Sequence, residues 1–299
     1  MTLDRSRRLW LKGGAALGAM WALGVRPAFA TAAPATLEGH MTQGGLLFGH
    51  VEPGARVWLD DARIMVSPAG EFLLGFNRDA PPQAKVRIEH ADHSVEERTL
   101  AITQRTYEEQ RINGLPQNTV TPNAEEQAKI AADQEKINAA RIPQSTVAWY
   151  AHGFDWPALG PISGVYGSVR ILNGVPRNPH YGFDVAAPEG APVKSPADGI
   201  VRLAVTDMLL TGGTVIIEHG QGLTSILIHM SAVLVHPGLF VSKGTEIGRV
   251  GHTGRATGPH VHWGMNWRDV KLDAQLLVPP MPAGAAVASQ SKAPVATGD

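Results

Sequence analysis

Apolar positions in the first third of the chain fall in short runs broken by turn sequences. Leu46-Leu47-Phe48, Arg56-Val57-Trp58-Leu59, Glu71–Phe76 and Lys85-Val86-Arg87-Ile88-Glu89 are separated by Glu52-Pro53-Gly54, Ser67-Pro68-Ala69-Gly70 and Pro81-Pro82. Runs of this length and content predict strands, and their spacing predicts a small β-sandwich over residues 31–103, entered through an Ala-rich linker at 31–36. The period changes over 104–146. Thr121-Pro122 reads as a helix cap followed by proline at the first helical position. Glu125 and Glu126 lie near the first turn, Glu125 and Lys129 form an i,i+4 pair, and Pro143 closes the pattern. The apolar stripe of this helix is thin, mainly Ile130 and Ile137, so it reads as a solvated connector; the sharper alternative is a segment that covers a groove.

From Val147 the text is again apolar and glycine-rich, without a useful helical run. Strands are predicted at Pro192–Lys194, Gly199–Ala204, Thr214–Glu218, Thr224–His229, Glu246–Val250 and Val261–Asn266. The whole is expected to be mainly β: a small N-terminal β-sandwich-like domain, a helical connector, then an all-β antiparallel-sheet domain over 147–278. Residues 279–299 are rich in Pro, Ala and Ser and read as a disordered tail.

Composition narrows the chemistry. The 299 residues suffice for two sizeable cores. A formal net charge of −1 provides no basic field for nucleic acid. The chain has no cysteine, which removes thiolate metal sites, cysteine nucleophiles and disulfides and leaves any metal to His and carboxylate. At the N-terminus Arg5, Arg7, Arg8 and Lys12 precede the apolar run Gly13–Val25 and the small-x-small site Ala28-Phe29-Ala30. This reads as a signal peptide over residues 1–30, because the run falls short of the roughly 20 residues that span a bilayer. Ser6–Lys12 resembles the twin-arginine export motif, with Trp10 where Phe is usual; a general secretory signal or an uncleaved anchor is the alternative. The mature chain is then expected in the periplasm or cell envelope, with no stable membrane span.

Three polar clusters interrupt the last β region. The loop Gly251–Pro259 ends in His260-Val261-His262, and in a strand these two imidazoles share a face. Upstream stands Asn178-Pro179-His180-Tyr181-Gly182-Phe183-Asp184, a His-x-x-x-Asp; between the two, Ser225–Ser231 carries His229 at the end of an apolar run. A catalytic zinc takes three protein ligands plus water, so His180, Asp184 and one of His260 and His262 would form such a set. Arg255 reads as lining a substrate groove or as a solvated loop residue. His252, on the same loop, reads as facing either substrate or solvent. His219 and His236 read as structural, and His40, His50, His90 and His93 as surface or turn histidines.

Together these residues carry a resemblance to the lysostaphin-type (LytM-like) zinc metallopeptidases. It rests on His180–Asp184, on 190–201 and 215–231, on 241–265 and on the closing 271–277, and covers roughly residues 160–277. The resemblance implies a two-layer sheet with an open groove, Zn2+ held by His180, Asp184 and His262, and His229 and His260 flanking the metal-bound water as catalytic residues. It also implies a peptidoglycan peptide as substrate, cut in cross-links or stems. Two positions depart from the family pattern: Leu227 stands where an aromatic residue is frequent, and the usual Asp-Pro near the end reads Asp273-Ala274. The alternative within the family is a non-catalytic regulator that activates cell-wall amidases, which predicts a damaged set of ligands.

Overall fold

The computed structural model describes residues 34–115, 117–282 and 285. The expected signal segment lies outside them, as does most of the expected tail. The described residues fold mainly as antiparallel β-structure, in open sheets that close no barrel.

The N-terminal strands are β1 (Thr36–Gly39), β2 (Leu46–His50), β3 (Arg56–Leu59), β4 (Ala62–Ile64), β5 (Glu71–Gly75), β6 (Gln83–Glu89) and β7 (Val95–Ala101). They form a three-stranded sheet, β1-β2-β5, and a four-stranded sheet, β4-β3-β6-β7. Strand β6 shows why: Ala84, Val86 and Ile88 alternate inward while Lys85 and Arg87 point away, the period-two pattern of a strand with one buried face.

The connector does more than connect. Strand β8 (Glu109–Ile112) is followed by a short helix α1 (Gln117–Val120) and the long helix α2 (Ala124–Ala140). The cap of α2 is Asn123 rather than Thr121: its side chain accepts from Glu126 N at 2.9 Å, and the Glu126 carboxylate accepts from Asn123 N at 2.8 Å. This reciprocal box satisfies two end donors at once, which outcompetes the single hydroxyl of Thr121. Thr121 instead closes α1 through Gln117. Lys129 pairs forward with Asp133 rather than back with Glu125. Asp133 is buried and accepts from Leu209 N at 2.9 Å, while Ile137 and Ala140 pack on Met208 and Ile216. One buried carboxylate thus anchors a helix whose apolar stripe alone is too thin.

The remaining strands are β9 (Ile162–Gly164), β10 (Val169–Leu172), β11 (Val175–Arg177), β12 (Phe183–Ala186), β13 (Pro192–Lys194), β14 (Gly199–Met208), β15 (Gly212–Gly220), β16 (Leu223–Met230), β17 (Ala232–Val233), β18 (Phe240–Val241), β19 (Glu246–Arg249), β20 (His260–Trp267) and β21 (Val270–Leu272). The principal sheet runs β18-β14-β15-β16-β20-β12-β9, with β21 also on β20. Smaller sheets are β13-β19-β17 and β11-β10-β8. In the last, the connector strand β8 lies parallel to β10, Glu109 opposite Val169 and Ile112 opposite Leu172. Strand β15 is buried along its whole length, and Val215, Ile216 and Ile217 are fully enclosed, each contributing roughly 1.5–3 kcal/mol of apolar burial. Glu218 beside them is tolerated because Arg202 Nε donates to it at 2.9 Å and Ser145 N at 2.6 Å.

One hydrophobic core runs through the N-terminal sheets and the principal sheet without a break. Phe48 lies 5.5 Å from Tyr150 ring to ring, and Arg105 on the connector bonds Asp273 at 2.8 Å. Asp273 also accepts from Gln275 N, capping the final turn Ala274–Leu277, so the departure at Asp273-Ala274 retains a structural carboxylate. The first residues of the expected tail are held too: the Trp156 indole donates to Pro279 O at 2.8 Å, and Met281 packs on the core.

His90 departs from its reading as a surface or turn histidine. It is only 5% exposed, with Nδ1 3.0 Å from Glu52 Oε1 and Nε2 3.4 Å from Glu96 Oε2. Burial pulls its pKa down, but the two carboxylates outweigh that and leave it above the ordinary 6.5; Glu52 and Glu96 are both held below 4.5. The stability this ion triad contributes is therefore complete between about pH 4.5 and 6.5. It fades as pH rises through the folded His90 pKa, and as pH falls through those of the glutamates. His90→Gln is expected to cost about 1–3 kcal/mol near pH 6 and less above pH 8, measured by denaturant unfolding. A pH-independent loss would contradict the charged triad.

Candidate metal centre

The site is assembled by strand register. Strand β20 lies between β12 and β16, with Asp184 directly opposite His262 on one side and Ile228 opposite it on the other. Because alternate residues share a face, Phe183 and Val185 enter the core with Trp263 while Asp184 turns outward with His262 and His260. His180 precedes β12 and is tied back by its own backbone, His180 N to Ser168 O at 2.9 Å.

Three electron-rich atoms meet there. His180 Nε2 lies 2.8 Å from His262 Nδ1 and 3.1 Å from Asp184 Oδ1, and His262 Nδ1 lies 2.9 Å from the same oxygen. They form the metal-competent group of His, Cys and carboxylate side chains found among the described residues. His180 Nδ1 sits 3.1 Å from Val165 O, so its proton belongs on Nδ1 and its Nε2 lone pair faces the cluster. Two imidazoles and a carboxylate converging from three sides, with the fourth side open to a cavity, fit a zinc donor set.

Space for this arrangement comes from missing side chains. A Cβ on Gly182 would lie 2.6 Å from the His262 ring, and one on Gly164 would lie 2.2 Å from Asp184 Oδ2. That same Oδ2, turned away from the histidines, accepts from Arg170 Nη2 at 2.9 Å. Burial would raise the Asp184 carboxyl, but contacts with His180 and His262 hold it well below 3.8. Burial pushes His262 down to about 4.

His229 and His260 form a second pair, ring centroids 4.7 Å apart. His229 Nδ1 is 2.8 Å from Thr253 O and His260 Nδ1 is 2.8 Å from Gly258 O. Both Nδ1 atoms face acceptors and so carry the proton, which leaves each Nε2 as the basic atom. Burial, then repulsion by His260 and His262, pushes His229 down to about 3, so it is neutral at physiological pH. Its backbone is left-handed, φ 70°, a conformation that costs a non-glycine residue about 1–3 kcal/mol and is found where geometry is fixed for function. His260 Nε2 lies 3.8 Å from Asp184 Oδ1, beside the cluster rather than in it.

The other histidines fall elsewhere. His219 is enclosed, with Nδ1 on Asp198 O and Nε2 on Ser225 Oγ, both 2.8 Å, and burial pushes it down to about 4. Exposed His252 lies 3.3 Å from Glu189, and exposed His236 bonds its neighbour's carbonyl. Arg255 lines a cavity of about 440 Å³ beside the centre, together with Arg170, Arg177, His229 and His262. The connector contributes Val120, Pro122 and Ile130 to the same lining. Arg170 has no signature in the sequence, because a lone arginine on a short strand carries no spacing that points to a carboxylate.

Fold and donor set define a metallopeptidase-type domain. Residues 178–274 match peptidase family M23, and this segment is a domain of that family, of the lysostaphin-type (LytM-like) kind. It is 39% identical over 103 residues to the peptidoglycan DD-endopeptidase ShyA of Vibrio cholerae, covering 34% of this chain and 24% of that protein. To the DD-carboxypeptidase/endopeptidase Mpg of Neisseria meningitidis it is 42% identical over 84 residues, 28% of this chain and 19% of that one. The matches thus span about a quarter or less of those relatives' lengths. A crystal structure described as a peptidase M23 of Pseudomonas aeruginosa superposes with a TM-score of 0.59 at 26% identity, over 79% of this chain and 93% of that one.

Gly182→Ala, whose Cβ would meet both the His262 ring and the Trp263 carbonyl at 2.6 Å, is expected to displace the ring and lower the zinc content of zinc-equilibrated protein. Full metal content in this variant would show that the close approach does not set the ring.

Proposed function

We propose that this chain is a zinc-dependent endopeptidase that hydrolyses peptide cross-links or stem peptides of peptidoglycan in the cell envelope. The observation that carries the reading is the convergence of His180 Nε2, Asp184 Oδ1 and His262 Nδ1 within 2.8–3.1 Å of one another, beside two further histidines. The substrate class is supported by the names of the relatives. His180, Asp184 and His262 would hold the zinc, which when bound would supply a Lewis acid and lower the pKa of a water from 15.7 to about 7. Arg170 neutralises the second Asp184 oxygen and fixes the carboxylate plane. His229, which burial keeps neutral, and His260 each hold an Nδ1 on a backbone carbonyl and turn Nε2 the other way, so these atoms can take a proton from the attacking group and return it to the leaving amine. No helix among the described residues is long and apolar enough to cross a membrane. A non-catalytic regulator would carry a broken set, and here the set is whole.

Zinc content and digestion of purified wall sacculi, measured side by side, test the assignment. His262→Ala is expected to lose zinc. His260→Ala and His229→Ala are expected to keep zinc and lose about 10²–10⁴-fold in rate. Full zinc in His262→Ala with an empty site in His260→Ala would reverse the two roles, and full activity in both His229→Ala and His260→Ala would sink the mechanism.

The connector, in the same reading, walls the substrate cavity. Ile130→Ala is expected to lower KM for cross-linked wall fragments and leave kcat for a short peptide unchanged. Unchanged KM for both substrates would reduce α2 to a connector.

A further inference from the structure

A second cavity, of about 300 Å³, opens where the N-terminal sheet β1-β2-β5 meets the turn Trp149–His152. Phe48, Gly49, Glu71, Tyr150, Ala151 and Gly153 line it, and it shares no lining residue with the cavities at the His-Asp-His group. Strand register builds one wall. Glu71 pairs with His50 across β2 and β5, and Phe48 lies two residues before His50, so Phe48 and Glu71 project from one face. The Tyr150 ring comes against that face, 5.5 Å from the Phe48 ring. Tyr150 is only 5% exposed, yet its hydroxyl has no hydrogen-bond partner among the described residues. Glu71 Oε2 accepts from Ser67 Oγ at 3.2 Å, but no lysine, arginine or histidine lines the cavity to balance its charge. At Gly153, φ 72°, nothing lies within 4 Å of where a Cβ would stand, so the rim is open on that side.

A buried hydroxyl without a partner is costly unless something in the cavity meets it. A carboxylate takes N–H donors best when they carry charge, and aromatic faces attract a cation within about 6 Å of the ring centre. Two rings, a hydroxyl and an unbalanced carboxylate therefore complement a cation with several N–H donors and a carbon stem. A neutral sugar would use the rings and leave the charge of Glu71 unanswered, and an anion would be repelled by it. We propose that this cavity binds a primary ammonium group on an aliphatic stem, the side chain of a lysine-type residue of a peptide, with Glu71 on the ammonium and Phe48 and Tyr150 on the stem. Tyr150 belongs to the core that holds Trp263, whereas His262, the next residue along β20, turns to the other face. The site would therefore hold a peptide away from the metal centre, as an anchor, and it does not depend on the peptidase reading.

The test uses the full chain equilibrated with zinc and three probes: Nα-acetyl-lysine amide, the same compound acetylated at Nε, and alanine amide, whose ammonium has no stem. Binding is measured by calorimetry. The free lysine side chain is expected to bind on the order of tenfold or more tightly than its acetylated form, the size of one charge-assisted hydrogen bond. In Glu71→Gln that discrimination falls toward unity while zinc content is unchanged. Tyr150→Phe and Phe48→Leu each weaken binding of the lysine probe severalfold, and they carry the test if Glu71→Gln does not fold. Chelation of the zinc leaves the affinity as it was. Equal affinity of the two lysine probes would overturn the proposal, and so would discrimination that survives Glu71→Gln. Alanine amide binding as tightly as the lysine probe would remove the role of the rings. Loss of binding on chelation would place the amine at the metal centre instead. No arm reads hydrolysis, so failure of the peptidase reading and failure of this site are told apart.

Discussion

The pairing of β12 with β20 is the constraint on which the site depends. Asp184 and His262 are cross-strand partners, and the backbone ladder brings their polar atoms to 2.9 Å. A slip of one residue would turn one of the two into the core and carry its aromatic neighbour, Phe183 or Trp263, outward. The two aromatic rings pack at 5.1 Å under the sheet, so the apolar side of the ladder enforces the polar side. The His-Asp-His group is thus specified by core packing as much as by its own chemistry. His180 and His229 complete it from loop and strand-end positions, held through backbone hydrogen bonds to carbonyls.

Electrostatics then divides the four histidines. His262 faces a carboxylate and another imidazole, a setting suited to a cation. His229 and His260 face backbone carbonyls through Nδ1, a setting that fixes a tautomer. Burial keeps His229 neutral, and neutrality is what a proton acceptor requires. Arg170 links the two sheets at this point: it rises from β10, in the sheet containing β8, and reaches the carboxylate on β12.

The parts of this arrangement that are local in sequence could be read from it. His-x-His on a strand and His-x-x-x-Asp before one carry their geometry in their spacing, and the antiparallel runs announced themselves by apolar content. What depends on distant partners could not be read. Nothing in Glu109–Ile112 signals a parallel strand, because its partner lies beyond two helices. Thr121-Pro122 is the stronger local cap signal, while the reciprocal bond with Glu126 places the cap at Asn123. His90 gives no hint of burial until Glu52 and Glu96 arrive from other segments. In each case a long-range polar partner overrides local propensity.

The parallel pairing of β8 with β10 joins residues about sixty positions apart and places two helices in the loop it closes. Closing such a loop is entropically slow, and neighbouring antiparallel hairpins form before it. The hairpins β14-β15, β15-β16 and β10-β11 can therefore consolidate early, whereas the other edge of β10, which carries Arg170, is paired only when the connector strand β8 docks. A newly made chain would therefore hold its hairpins before the strand that carries Arg170 is paired along both edges.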